Sequence, residues 1–162
     1  MKIAIISDIH DNLVNLQKCL NWCGENGAGT MICCGDITAS RTLQAIARGF
    51  AGRIYLVRGN MEIYRENEVE KYENICYLGR SGTIEFGAGK AGVCHEPEYI
   101  GALVEKEIKI IFYGHTHKPW IATKDGVKII NPGTLGGVFS KASFAFWDTA
   151  TGKLELKILE LL

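Results

Sequence analysis

The sequence has no surplus of charge, no apolar run of membrane length, no CxxC pair and only four histidines. Lys and Arg total 18 and Asp and Glu total 18, so the formal net charge is zero. A general binder of polyanions would carry a basic excess, and its absence speaks against nucleic acid as a partner. With 47% hydrophobic and 22% charged residues the composition also excludes intrinsic disorder. The longest uncharged apolar runs, such as Ile3–Ile6 and Ile110–Tyr113, are far too short to span a bilayer, so no membrane contact is expected. Asp8 interrupts the first run before a signal-peptide segment can form, which points to the cytoplasm. No linker, repeat or low-complexity stretch is visible. Residues 1–162 read as one domain, long enough to bury about 70% of its unfolded surface.

Six cysteines are present, Cys19, Cys23, Cys33, Cys34, Cys76 and Cys94. Most lie inside apolar runs. Cys19 and Cys23 stand one helical turn apart, but two thiols do not make a zinc site, and buried thiols acting as small hydrophobes are the better reading.

The first half alternates strand and helix patterns. Lys2–Ser7 is a continuous apolar strand. Asn12 offers an N-cap for a helix carrying Leu13, Leu16, Leu20 and Cys23, stopped by Gly24 and Gly27. Thr30–Cys34 and Arg53–Val57 read as strands on either side of a helix over about Arg41–Phe50. This order predicts a parallel sheet with helices packed on it. The second half is a succession of short strands: Ile75–Leu78, Thr83–Phe86, Ala91–Cys94, Ile108–Tyr113, Trp120–Thr123, Lys128–Ile130, Ser143–Trp147 and Leu154–Leu159. Only Glu98–Lys106 looks helical among them. Gly-rich or charged turns at Gly87–Lys90, Lys124–Gly126 and Thr149–Lys153 are hairpin chemistry, so this half is expected to form a mostly antiparallel layer.

The residues just beyond each strand carry the chemistry. Ile3–Ser7 runs into Asp8-Ile-His10, Met31–Cys34 into Gly35-Asp36, and Ile54–Arg58 into Gly59-Asn60. Gly92–Cys94 runs into His95, and Ile110–Tyr113 into Gly114-His115-Thr-His117. The C-terminal edge of strands is where α/β sheets build sites. Singly, each pair is a turn or a cap. Together, five strand ends supply two carboxylates, one amide oxygen and all four imidazoles. Seven such ligands exceed one ion and suit two. Mixed nitrogen and oxygen ligation without thiolate favours Mn²⁺, Fe²⁺, Zn²⁺, Ni²⁺ or Co²⁺ over Cu⁺ or Ca²⁺. Two divalent ions against two carboxylates leave positive charge that suits a bridging hydroxide and an anionic substrate such as a phosphate ester.

The ordered set D-x-H, G-D, G-N, H, G-H-x-H, spanning Asp8 to His117, resembles the calcineurin-like metallophosphoesterases. Ser7–Asn12, Val57–Asn60, Gly114–Pro119 and Asn131–Gly133 look most like the small cap-less phosphodiesterase subgroup, the YfcE-like proteins. The resemblance implies an α/β four-layer αββα sandwich of two mixed β-sheets flanked by helices. It implies one metal on Asp8, His10, Asp36 and His117 and a second on Asp36, Asn60, His95 and His115, with Asp36 as the bridge. Asp8, His10, Asp36, Asn60 and His95 would be catalytic, and Asn60, His95 and Arg58 would meet substrate. Two divalent ions are the implied cofactors, Mn²⁺ foremost, with Ni²⁺, Fe²⁺, Zn²⁺, Co²⁺ and Mg²⁺ as alternatives. The broad family carries His directly after the Asn, to assist the leaving group. Here Met61 stands there, as the subgroup often allows. Glu96 stands where Gly commonly follows the counterpart of His95.

The expected function is therefore two-metal hydrolysis of phosphate esters, foremost phosphodiesters. A phosphomonoesterase or nuclease of the same fold, and a non-catalytic scaffold related to the retromer subunit, are the alternatives. Thirty-four residues separate Asn60 from His95 and 19 separate His95 from His115, and neither gap holds a substrate-recognition cap. Arg58, Tyr64, Arg65 and Lys118 lie near the ligand loops and read equally as substrate contacts or solvated surface. Leu154–Leu162 offers an alternating apolar strand, either for a homodimer or for burial in its own chain.

Overall fold

In the structure, a computed structural model describing residues 1–87, 89–104 and 108–162, two sheets stack face to face. The first contains β1 (Lys2–Ile6), β2 (Thr30–Cys33), β3 (Arg53–Leu56) and β4 (Ile75–Tyr77), all parallel, with α1 (Leu13–Glu25) and α2 (Ser40–Gly49) as crossovers. Asn12 caps α1 through its side-chain oxygen, which accepts the Asn15 N–H at 3.1 Å and contributes about 1 kcal/mol. Leu16, Cys19, Leu20 and Cys23 form the buried stripe of this helix, whereas Leu13 is exposed.

The second sheet holds β5 (Ser81–Phe86), β6 (Gly89–Cys94), β7 (Ile108–Phe112), β8 (Trp120–Lys124) and β9 (Val127–Asn131), in the order β5-β6-β7-β9-β8. The chain then returns to the first sheet. β10 (Ser143–Asp148) pairs antiparallel with β1, and β11 (Lys153–Ile158) antiparallel with β10. This corrects the expectation of an α/β layer followed by a mostly antiparallel one. β6, β7 and β9 are mutually parallel, and the last hairpin belongs to the first sheet. Turn chemistry identified the hairpins β5–β6, β8–β9 and β10–β11. It says nothing about which sheet a hairpin joins, because burial on two faces decides that.

Strand alternation splits the apolar side chains between layers. Ile3, Ile5, Ile32, Val57, Ala91, Val93, Ile110, Phe112 and Ile130 fill the space between the sheets. Ala4, Ile6, Met31, Cys33, Ile54 and Leu56 face α1 and α2. Both faces of β1 and β2 are thus covered, which is why their sequences are apolar without interruption. The outer face of the second sheet is covered more thinly, by a 3₁₀ turn over Pro97–Tyr99 and α3 (Ile100–Leu103) packing Leu103 against Cys94, Ile108 and Ile111. The helix expected over Glu98–Lys106 is confirmed only as this short turn and α3, and its last positions lie outside the described residues. Cys19, Cys23, Cys33, Cys34 and Cys94 are buried free thiols, and Cys76 is half-buried. Among the described residues no helix is long and apolar enough to cross a membrane.

Candidate metal centre

The loops that leave β1, β2, β3, β6 and β7 converge on one edge of the sandwich. The side chains of Asp8, His10, Asp36, Asn60, His95, His115 and His117 meet there. His117 Nε2 lies 3.1 Å from Asp8 Oδ1 and 3.2 Å from His10 Nε2. Asp36 Oδ2 lies 3.8 Å from His10 Nε2 and 3.3 Å from His95 Nε2. Asn60 Oδ1 reaches His95 Nε2 at 3.0 Å and His115 Nδ1 at 2.9 Å. All seven predicted ligands are in one contiguous cluster.

The backbone is bent to make it so. Asp8, His10, Asp36, His115 and His117 have φ between 45° and 66°, a left-handed region that costs non-glycine residues about 1–2 kcal/mol each. Such conformations persist where the surroundings impose them, and they concentrate at functional sites. The surroundings here are specific. Asp8 N–H donates to the Gly35 carbonyl, and the Asp8 carbonyl accepts from Gly136 N–H and Thr134 Oγ1. Asn131 Nδ2 donates to the Gly114 carbonyl at 2.7 Å and to Thr116 Oγ1 at 3.0 Å, which holds the loop bearing His115 and His117. The glycines before the ligands allow close approach. A Cβ on Gly59 would collide with Asp36 Oδ1, and one on Gly114 with Ser7 Oγ.

Hydrogen bonds on the far side of two rings fix the character of the cluster. His95 Nδ1 is 2.7 Å from the Cys34 carbonyl, which can only accept, so the proton is on Nδ1 and Nε2 presents a lone pair. His117 Nδ1 donates likewise to the Val138 carbonyl at 3.1 Å. The lone pair of His95 therefore faces two acceptors, Asp36 Oδ2 and Asn60 Oδ1. That of His117 faces Asp8 Oδ1, a fully buried oxygen to which no hydrogen bond is donated. Electron-rich atoms aimed at one another need a cation or a proton between them. Ligand atoms of Asp8, His10 and His117, and of Asp8, Asp36 and His95, each lie within 4.8 Å of one another. The donor set fits divalent ions.

Without ions, protons take that place. Burial disfavours the charged form of His95, but the hydrogen bond and charge of Asp36 and the charge of Asp8 outweigh it and raise the pKa to about 9. The Asp8 carboxylate, 3.7 Å from His10 Nε2 and an acceptor for the protonated ring, raises the pKa of His10 against burial, and the charge of Asp36 adds to it. Burial pushes the Asp36 carboxyl up, yet the hydrogen bond and charge of His95, with the Met61 N–H, hold it below its ordinary value.

Other predicted residues are placed differently. Asn60 is exposed, but His95 has no exposed surface, so of that pair only Asn60 can touch a substrate directly. The Arg58 guanidinium pairs with Glu66 at 3.2 Å rather than with the cluster. Tyr64 is core, and Lys118 lies over the Trp120 ring. Glu96 turns to Arg80 at 3.8 Å.

Two residues escaped the sequence reading. Glu62 is buried beside Met61. Its Oε1 accepts from Ile37 N–H and Gly59 N–H, both at 3.2 Å, and Oε2 from Thr38 N–H at 2.7 Å, so one carboxylate ties the Asp36 loop to the Asn60 loop. Asp11 accepts from Ala39 N–H and Thr42 Oγ1 and anchors α2 beside the Asp8 loop. An acid one or two residues from a candidate ligand was the only signal, and it is indistinguishable from surface charge in sequence.

Comparison with known proteins shows the family and the fold. Residues 1–152 match the calcineurin-like phosphoesterase superfamily domain. Phosphodiesterase MJ0936 of Methanocaldococcus jannaschii is 29% identical over 147 residues, covering 85% of this chain and 86% of that protein. A solved archaeal phosphodiesterase shares the fold with a TM-score of 0.88 at 23% identity, over 98% of this chain and 99% of that one. The phosphoesterase Yfce from E. coli does so with a TM-score of 0.72 at 17% identity, over 98% and 100% of the two chains. Vps29 from Chaetomium thermophilum also has this fold, with a TM-score of 0.71 at 17% identity over 97% and 95%.

Proposed function

The chain belongs to the calcineurin-like phosphoesterase superfamily, and from that premise we propose that it is a phosphodiesterase working with two divalent ions at the seven-residue cluster. The observation that carries the reading is the buried Asp8 Oδ1, to which no hydrogen bond is donated, facing the His117 lone pair, an arrangement that a divalent ion completes. Asp8, His10, Asp36 and His117 would hold one ion, and Asp36, Asn60, His95 and His115 the other. Asp36 suits the bridge because its Oδ1 is taken by the Met61 N–H at 2.9 Å while Oδ2 stands between His10 and His95. When bound, such ions polarise phosphoryl oxygens and lower the pKa of coordinated water towards ~7.

The chain's own residues do the rest. His95 and His117, each donating Nδ1–H to a backbone carbonyl, are locked in ring orientation and tautomer. Asn60 turns its oxygen to the histidines, leaving its NH₂ group available to donate to a phosphate oxygen on the open side. Glu62 faces inward, buried with three backbone N–H groups on its oxygens, so it is not presented to a leaving group even though burial raises its pKa. Met61 has no proton to give. The leaving oxygen must therefore depart unassisted by a side chain at this position, which favours diesters with good leaving groups.

Mixed imidazole and carboxylate ligation supports Mn²⁺ as the leading ion. Free thiols on all six cysteines suit a reducing compartment and support a cytoplasmic location. A small phosphate ester is the expected partner; Leu154 and Leu156 of β11 pack against the chain's own core, and the open edge of that strand is where a homodimer would pair. The scaffold alternative predicts loss of ligands, whereas all seven are present and converge. The test is an activity grid of Mn²⁺, Ni²⁺, Zn²⁺ and Mg²⁺ against aryl diesters, cyclic nucleotides and monoesters. The highest turnover is expected on aryl diesters. A chain holding two ions and hydrolysing none of them would favour the scaffold.

A further inference from the structure

Between β9 and β10 the chain passes through Gly136-Gly-Val-Phe139-Ser140. Phe139 is 94% exposed, so it contributes almost nothing to the core. Single exposed apolar residues are ordinary and need no explanation. This one differs in three respects. Its φ is 63°, a left-handed conformation that a bulky aromatic adopts only where its surroundings enforce it. Its ring centroid lies 5.6 Å from that of His117, with 39° between the planes. And its loop is fastened to the cluster: the Val138 carbonyl accepts from His117 Nδ1, Gly136 N–H donates to the Asp8 carbonyl, and Asn12 Nδ2 and Asn15 Nδ2 donate to the Gly136 and Leu135 carbonyls. A bare phenyl ring is thus held in solvent beside the mouth of a polar cluster. Beside the Asn60 end, Met61 and Ile63 are also exposed, at 52% and 75%.

An ionic floor with an apolar rim suits a ligand of matching character, a phosphate ester carrying a flat apolar group. We infer that Phe139 is a specificity-determining residue, a platform on which a nucleobase or other planar aromatic ring of the substrate stacks while its phosphate occupies the cluster. This rests on the phosphodiesterase reading and narrows its substrate class. Stacking tolerates any planar ring, so the preference is for aromatic over aliphatic esters rather than for one base.

The test measures binding of adenosine 5′-monophosphate and ribose 5-phosphate to the Mn²⁺-loaded protein by calorimetry, in wild type, Phe139→Ala, Phe139→Leu and Phe139→Trp. Wild type should prefer the nucleotide roughly tenfold or more. Phe139→Ala and Phe139→Leu should bring that ratio towards one, and Phe139→Trp should keep it. In parallel, the ratio of kcat/KM for thymidine 5′-(4-nitrophenyl) phosphate to that for methyl 4-nitrophenyl phosphate, which share a leaving group, should fall through KM in Phe139→Ala. A nucleotide preference unchanged in Phe139→Ala would overturn the inference. So would a shift from dimer to monomer with the preference intact, which would assign the ring to contact between copies. Turnover of both diesters without dependence on position 139 would overturn it while leaving the phosphodiesterase reading standing. Ring-dependent nucleotide binding with no diester hydrolysis would do the reverse.

Discussion

Protons and divalent ions should compete for His95 Nε2, and the competition should be readable as stability. In the ion-free chain the Asp36 and Asp8 carboxylates raise the His95 pKa from 6.5 to about 9 against the burial that opposes it. A rise of that size corresponds to about 3 kcal/mol of differential proton binding. Because the folded-state value lies above the unfolded one, this stabilisation is complete below about pH 6.5 and is lost as pH climbs through about 9. His10 acts in the same direction. With ions bound, the lone pair is occupied and the loss does not occur. The assay is the melting temperature of chelator-stripped and Mn²⁺-loaded protein from pH 5.5 to 10. The gap between the two forms should widen by about 6–12 °C between pH 6.5 and 9, from ~2–4 °C per kcal/mol at this chain length. Buried thiols such as Cys33, Cys34 and Cys94, whose pKa values burial raises, also withdraw stability at alkaline pH, but they do so in both forms and cancel. Ion affinity should rise about tenfold per pH unit for each proton displaced below pH 9. His95→Gln should flatten the widening. A gap that stays constant with pH in the wild type, or widens equally in His95→Gln, would refute the reasoning.

Glu62→Ala should lower stability by at least about 3 kcal/mol, because three backbone N–H groups in two loops lose their acceptor. It should also weaken ion binding on the Asn60 side, and wild-type melting and ion content in this variant would disprove the tie. Met61→His should raise turnover of alkyl esters relative to aryl ones, because an imidazole can protonate a poor leaving group. The alkyl-to-aryl ratio under one metal measures this, and an unchanged ratio in a variant still holding both ions would remove position 61 from proton delivery.

The seven clustered residues were legible because each follows a largely buried, apolar strand, so the letters Asp, His and Asn stand out at the edge where loops converge. Two packed layers were visible in the strand and helix pattern and the four-layer sandwich came from resemblance, while the hairpins were visible in Gly87, Asp125-Gly126 and Gly152. The return of β10 and β11 to the first sheet was not visible, because Ser143–Asp148 carries the same apolar alternation whichever sheet receives it. Nor were the left-handed backbones of Asp8, Asp36 and His117, which are enforced by hydrogen bonds from residues more than 20 positions away. Glu62 and Phe139 were illegible for the opposite reasons. A charge that looks solvated is buried by two loops, and a phenyl ring that looks like core is held in water.

The central claim is that two ions at one cluster make this chain a phosphodiesterase. The most direct test adds Mn²⁺ stepwise to stripped protein at pH 8 while following hydrolysis of bis(4-nitrophenyl) phosphate, in wild type and Asp36→Asn. Turnover should rise until two ions are bound per chain and then level off, and Asp36→Asn should stay folded yet lose most bound metal at one or both sites and nearly all turnover. Full activity at one ion, two bound ions without hydrolysis, or an Asp36→Asn variant with wild-type turnover would contradict the claim.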